Sequence, residues 1–182
     1  VAPEMAPITG FKLSELWEHS LKTAAICRRL AANESTFAAI SPDDAFLAGM
    51  LHDVGKLVLA SKDPEGFAAA IKQAKESGLS PEQAELGLVG ASNAEIGAYL
   101  VSLWGFPVHI VEGVAYHERP HEASDTALSL AGVVHVADRL SYMGGDADAA
   151  QAGIDMEWLR TQNYEQHWAS WLAQRVNADA DT

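Results

Sequence analysis

The run Ala48-Gly49-Met50-Leu51-His52-Asp53-Val54-Gly55-Lys56-Leu57 is apolar or small except at His52, Asp53 and Lys56. Burying an imidazole or a carboxylate without a partner costs roughly several kcal/mol, so an Asp on such a segment must be paired, hydrogen-bonded or bound to a metal. Gly55 would cost a helix interior about 1 kcal/mol relative to Ala, which predicts close backbone approach beside the same spot. His19, in Leu16-Trp17-Glu18-His19-Ser20, lies on a second segment of mostly apolar or small residues. Asp138, in His135-Val136-Ala137-Asp138-Arg139, lies on a third. Three helices can thus bring two imidazoles and two carboxylates to one point. That mixed nitrogen and oxygen set, without a thiolate, suits Mn, Fe, Mg, Co, Ni or Zn and does not choose among them. A cation held there lowers the pKa of a coordinated water toward ~7, the chemistry of phosphoester hydrolysis. Lys56, one helical turn beyond His52, is placed either to hold a substrate phosphate or to reach solvent. The bland alternative for His52 and Asp53 is a hydrogen-bonded core pair, and the sequence displays no second general acid, Gly-rich phosphate loop or basic cleft.

His117, in Val114-Ala115-Tyr116-His117-Glu118, ends another helical segment near these residues in the reading of the chain. His135, three residues before Asp138, is either a partner that orients the Asp138 carboxylate or a hydrogen-bonded core histidine. His109, His121 and His167 read as surface or packing residues, and Arg139 and Glu112 carry no assigned role.

The elements that must position these groups are helical throughout. Ser41-Pro42-Asp43-Asp44 supplies an N-cap hydroxyl, a proline at the first helical position and acids for the positive end of the dipole. Asp63-Pro64-Glu65 repeats the device, and Ser80-Pro81-Glu82-Gln83 adds the reciprocal glutamine of a capping box. The pattern predicts helices over 12–33, 42–60, 64–77, 81–88, 93–103, 107–117, 125–142, 155–162 and 164–176. No segment shows the period-two alternation of a half-buried strand, so the fold class is all-α, a helical bundle without a significant sheet. From Asp125 onward, Leu128, Ala131, Val134, His135 and Asp138 share one face. Ile96, Tyr99, Leu100 and Leu103 share one side of the helix from Glu95, which Gly105 and Pro107 terminate. Residues 144–153 read as a loop, and 177–182 as a polar tail. Tyr164, Trp168, Trp171 and Leu172 form one helical face, available for packing onto the bundle or for an oligomer or partner surface.

A chain of 182 residues accommodates one domain with a core that needs no disulfide. Its 12 Lys and Arg against 25 Asp and Glu give −13, so a nucleic-acid phosphate backbone meets a repelling field. The lone cysteine, Cys27, makes no internal disulfide and reads as a small buried hydrophobe, with a reactive thiol as the alternative. No stretch approaches the ~18 apolar residues of a membrane span and no signal peptide opens the chain, so a cytoplasmic location is expected. Residues 1–10, with Pro3 and Pro7, read as a linker from an upstream region; 11–145 read as the helical core and 146–182 as a loop and helices packed on it.

The order His19, His52-Asp53, Asp138 resembles the H…HD…D pattern of the HD superfamily of metal-dependent phosphohydrolases. The phrases LWEHSLKTAAICRRLA, AFLAGMLHDVGKLVLA, GASNAEIGAYLVSLWGFP, VEGVAYHERP and VVHVADRL, in that order over about residues 11–142, resemble its HDOD branch, the HD-related output domains of bacterial signalling proteins. The resemblance implies an HD-like all-α bundle and a place beside other signalling domains, such as an upstream receiver or a cyclic-dinucleotide module. It also implies a helical half upstream of the first phrase. Relatives with two metals, the HD-GYP branch among them, add three histidines between HD and the last Asp. Here Asn93 stands at the first place, His117 matches the second and Glu118 occupies the third. Asn93 is a poor ligand, whereas Glu118 can still coordinate a hard cation. What the resemblance implies is therefore one divalent metal on His19, His52, Asp53 and Asp138, with His117 and Glu118 as remnants of a degraded second site. Such a module regulates through partner domains, proteins or a second copy. The rival expectation is an active phosphohydrolase cleaving a nucleotide, a cyclic dinucleotide or another phosphoester, with Asp53 and Lys56 catalytic.

Overall fold

The computed structural model describes residues 8–123, 129–142 and 153–176. The helices are α1 (Leu13–Asn33), α2 (Pro42–Leu51), α3 (Val54–Lys62), α4 (Pro64–Ser77), α5 (Pro81–Leu88), α6 (Asn93–Leu103), α7 (Val108–Ala115), α8 (Leu130–Ser141), α9 (Met156–Thr161) and α10 (Glu165–Val176). Short 3-10 turns lie at Ser35–Phe37 and Pro120–Glu122. Among the described residues there is no strand, only an isolated bridge between Ile8 and Phe11, so the bundle is all-α as expected. Most of the 1–10 linker, Asp125 and Leu128 of the expected 125–142 helix, nearly all of the 144–153 loop and the tail lie outside the described residues.

Local capping fixes the helix starts. The Ser41 hydroxyl accepts from the Asp44 amide, the Asp63 carboxylate from the Gly66 amide, and Ser80 and Gln83 close a reciprocal box. A second box, Ser92 with Glu95, opens α6. No helix among the described residues is by itself long and apolar enough to cross a membrane.

One correction concerns the expected helix over 42–60, which is broken at His52-Asp53. Neighbouring positions on a continuous helix point about 100° apart and cannot serve one site. The imidazole of His52 donates from Nδ1 to the Gly49 carbonyl at 2.7 Å, the carbonyl that an unbroken helix offers to the residue-53 amide. Asp53 then turns (φ −102°, ψ 10°) and starts α3.

The side of α6 that packs is not its large apolar one. Tyr99 and Leu103 are exposed; the buried face carries Asn93, Ala94, Gly97, Ala98 and Val101. The reason is the α3–α6 crossing: a Cβ on Gly55 would fall 1.9 Å from the Asn93 carbonyl oxygen, so small residues rather than large apolar ones let the backbones meet. Gly55 makes the close approach its sequence context predicts.

The core packs α1, α2 and α7 around α8, whose residues are buried on nearly every side. Trp158, Trp168 and Trp171 join this core, with Trp171 stacked on Phe37 at 5.4 Å and the Trp158 ring seated on Gly132. The aromatic face of α10 is thus a packing face. Cys27 is fully buried, and burial pushes its thiol pKa up, the behaviour of a small hydrophobe.

Candidate metal centre

His19 from α1, His52 at the end of α2, Asp53 at the start of α3 and Asp138 from α8 meet at one point. His19 Nε2 lies 3.2 Å from His52 Nε2, 3.5 Å from Asp53 Oδ2 and 3.0 Å from Asp138 Oδ1. His52 Nε2 lies 3.4 Å from Asp53 Oδ2 and 3.5 Å from Asp138 Oδ1. A cation with bonds of about 2.1 Å spaces adjacent ligand atoms about 3.0 Å apart in an octahedron and about 3.4 Å in a tetrahedron. The ligand atoms of His19, His52 and Asp53 all lie within 4.8 Å of one another, spacings compatible with those edges, and these three could hold a metal ion; Asp138 Oδ1 approaches both imidazoles but falls outside that group.

The histidine tautomers point the same way. The Ser141 hydroxyl donates to the Asp138 carbonyl at 2.7 Å, and so accepts from His19 Nδ1 at 3.0 Å. His52 Nδ1 donates to Gly49. Both rings therefore turn Nε2 toward the carboxylates, and Asp138 Oδ1, though buried, has no partner other than these two imidazole nitrogens. Lone pairs and carboxylate oxygens converging at 3.0–3.5 Å require positive charge between them. In the metal-free protein a proton supplies it. Burial opposes the charged His52, but Asp53 and Asp138 outweigh burial and push its pKa up to about 10. Burial likewise opposes both carboxylates, yet His52, Lys56 and His19 hold Asp53, and Arg139 with the two histidines holds Asp138, well below the usual range. The donor set fits a divalent cation, with imidazoles oriented through Nδ1 in the manner common to metal sites.

Lys56 lines a cleft beside the cluster and is partly exposed, with its Nζ 2.6 Å from Asp53 Oδ2; burial opposes its charge but is outweighed by that carboxylate, which raises its pKa. His117 is fully buried beside His52, with ring centroids 5.0 Å apart. It donates from Nδ1 to the Val114 carbonyl, while its Nε2 has no hydrogen-bond partner and burial lowers its pKa. Glu118 Oε1 is 3.8 Å from His117 Nε2, but Oε2 accepts from Arg139 at 2.7 Å, and the same guanidinium lies 3.2 Å from Asp138 Oδ2. At the first of the second-metal places, the Asn93 amides, backbone and side chain, both donate to buried Glu85 Oε2. His135 is a hydrogen-bonded core histidine: Nδ1 donates to the His117 carbonyl and Nε2 accepts from the Asp155 amide. Burial pushes its pKa down to about 4. Arg139, not His135, orients Asp138. His109 and His121 are surface residues paired with Asp44 and Asp155, and His167 stacks on Trp171.

Sequence reasoning missed Ser141, Arg139 and Glu85. Ser141 follows Asp138 by three residues, hence on the same face, a signal that could have been used; the pairing of buried Glu85 and of half-buried Arg139 leaves no local signature.

The cluster opens on a cleft of ≈ 200 Å³ lined by Gly10, Phe11, Leu16, His19, Lys56 and Tyr142, where the Tyr142 ring covers His19 at 4.4 Å.

The HDOD domain model matches residues 3–120. A solved chain from Shewanella amazonensis SB2B, provisionally assigned as a phosphohydrolase, is 28% identical, with a TM-score of 0.65 over 92% of this chain and 66% of its own. An HDOD domain protein of unknown function from Geobacter sulfurreducens is 21% identical, with a TM-score of 0.64 over 91% and 63%. The MmoQ response regulator of Methylococcus capsulatus is 23% identical, with a TM-score of 0.57 over 85% and 63%. The last two similarities establish the fold alone. An uncharacterized protein of Treponema pallidum is 23% identical over 160 residues, 87% of this chain and 31% of that protein. The chain therefore spans less than two thirds, or close to it, of each of these relatives.

Proposed function

The chain belongs to the HDOD domain family, and from that premise we propose that it is a regulatory module of bacterial signal transduction carrying one divalent metal on His19, His52, Asp53 and Asp138. The observation that carries this reading is the asymmetry of the cluster. The ligand atoms of His19, His52 and Asp53 lie close enough to hold one ion, with Asp138 Oδ1 against both imidazoles, whereas at the second-site positions a neutral amide, Asn93, turns its N–H groups to Glu85 and Glu118 Oε2 accepts from Arg139. A phosphodiesterase that clamps attacking and leaving oxygens between two metals ~3.5–4 Å apart lacks that second clamp here. Bound, the ion would supply concentrated positive charge and acidify coordinated water. The chain's own residues hold the four donors in register: Ser141 and Gly49 orient the imidazoles, and Arg139 and Lys56 fix the carboxylates. The ≈ 200 Å³ cleft is smaller than the roughly 300–1,000 Å³ of ordinary ligand pockets, which favours output through neighbouring domains of a cytoplasmic signalling protein, such as a receiver or cyclic-dinucleotide module. The solved relative described as a response regulator accords with that reading.

Hydrolysis is the second reading, favoured by the Shewanella relative's provisional description. It would use Asp53 in the cluster and free Lys56 to hold phosphate. Hydrolysis of bis(p-nitrophenyl) phosphate with Mn, Fe, Mg, Co, Ni or Zn separates the two. The regulatory reading expects wild type and Asp53→Ala to match the metal alone; a metal-dependent rate that Asp53→Ala abolishes would overturn it.

A further inference from the structure

Among the described residues the cluster meets solvent on one side. The side chains of His52, Asp53 and Asp138 are at most 3% exposed, whereas His19 keeps 13%. An ion bound to these residues therefore enters and leaves past His19, where the ≈ 200 Å³ cleft opens. The inner walls of that cleft are held in place: Leu16 is buried in α1, the Phe11 ring stands edge-on against Phe67 at 5.3 Å, and Lys56 is tied to Asp53 at 2.6 Å. Tyr142 is held more loosely. It caps the C-terminal end of α8, and its ring lies over the His19 imidazole at 4.4 Å with 33° between the planes, yet the residue is 58% exposed. One face rests on His19 and much of the rest is in water.

We propose that Tyr142 is the gate of the metal centre: its ring closes the cleft while it lies on His19 and admits or releases an ion when it turns out into solvent. The gate presupposes the four-ligand centre proposed above. A ring in this place could instead serve to support His19, but that imidazole is already aimed from its other edge. The Ser141 hydroxyl accepts from His19 Nδ1 and is itself fixed by donating to the Asp138 carbonyl. An exposed side chain changes rotamer in roughly ps–ns, so closed and open positions equilibrate before an ion passes, and only the open fraction exchanges. Such a gate scales entry and exit by one factor and leaves the affinity unchanged. A support does the opposite, since its loss speeds exit alone. An aromatic contact biases two positions by roughly two- to tenfold, which sets the size of the effect.

The test uses the 182-residue chain and the ion, among Mn, Fe, Ni, Mg and Zn, that the wild type retains. In stopped flow, disappearance of free ion on mixing gives the entry rate, and an excess of a chromogenic chelator gives the exit rate. Tyr142→Ala should raise both rates by the same factor, roughly two- to tenfold, with one equivalent still bound at the wild-type dissociation constant. Tyr142→Phe, which keeps the ring, should exchange like wild type. Circular dichroism melts establish that each variant is folded; should Tyr142→Ala melt early, Tyr142→Ser carries the same test. Wild-type rates in Tyr142→Ala would overturn the gate and leave the metal centre standing. So would an exit rate that rises alone with weakened binding, or a Tyr142→Phe as fast as Tyr142→Ala. Wild type that retains none of the five ions would remove the metal centre and the gate together.

Discussion

Melted in Mn(II) at a hundredfold excess over its dissociation constant, the protein should unfold roughly 5–10 °C higher than in chelator. A ligand at that ratio stabilises the native state by about 2.7 kcal/mol, and each kcal/mol moves the midpoint of a chain this size by roughly 2–4 °C. The shift requires a site that exists only when folded. His19, His52, Asp53 and Asp138 come from different elements spread along most of the chain, and the unfolded chain does not assemble them. Asp138→Asn should shrink the metal-induced shift severalfold, because it weakens a donor whose Oδ1 has no partner other than the two imidazole nitrogens. Coincident melts of the wild-type protein with and without every candidate ion would contradict a folded-state site.

Gly55→Ala should be among the most damaging single substitutions, costing about 3 kcal/mol and lowering the melting midpoint by roughly 6–12 °C. The added methyl would meet backbone, not a flexible side chain: the Asn93 carbonyl oxygen at 1.9 Å and the Gly97 amide nitrogen at 2.9 Å. Only separation of α3 from α6 relieves that overlap, and it would drag Asp53, at the start of α3, away from the histidines. Gly87→Ala, in α5 with nothing within 4 Å of the new methyl, is the control; it should be neutral or stabilise by up to about 1 kcal/mol. Two variants with the same melting midpoint would show that the crossing tolerates a side chain.

These effects mark where the sequence speaks and where it is silent. Helix starts are legible because they are local: Ser41-Pro42 and Ser80-Pro81-Glu82-Gln83 contain both cap and proline within a few residues. The cluster is legible because His52 and Asp53 interrupt an apolar run, and because Asp138 sits on the inward face of α8. The break of the 42–60 helix is not. It depends on His52 Nδ1 taking a backbone carbonyl so that two consecutive side chains can face one point. Nor is the buried side of α6, chosen by how closely α3 must approach rather than by side-chain hydrophobicity. The partners at the second-site positions, Glu85 for the Asn93 N–H groups and Arg139 for Glu118 Oε2, pair residues from separate elements, and nothing near them in the chain announces the pairing.

The central claim is that His19, His52, Asp53 and Asp138 hold one divalent ion and that no second ion joins it. Elemental analysis of the purified protein, after exposure to Mn, Fe, Ni, Mg and Zn in turn and removal of free metal, tests it most directly beside the His52→Ala, Asp53→Ala double variant. One equivalent of at least one of these metals in the wild type and none in the variant is the predicted result. Two equivalents would contradict the single-metal account, and no metal in either protein would mean that His52 and Asp53 are a hydrogen-bonded core pair.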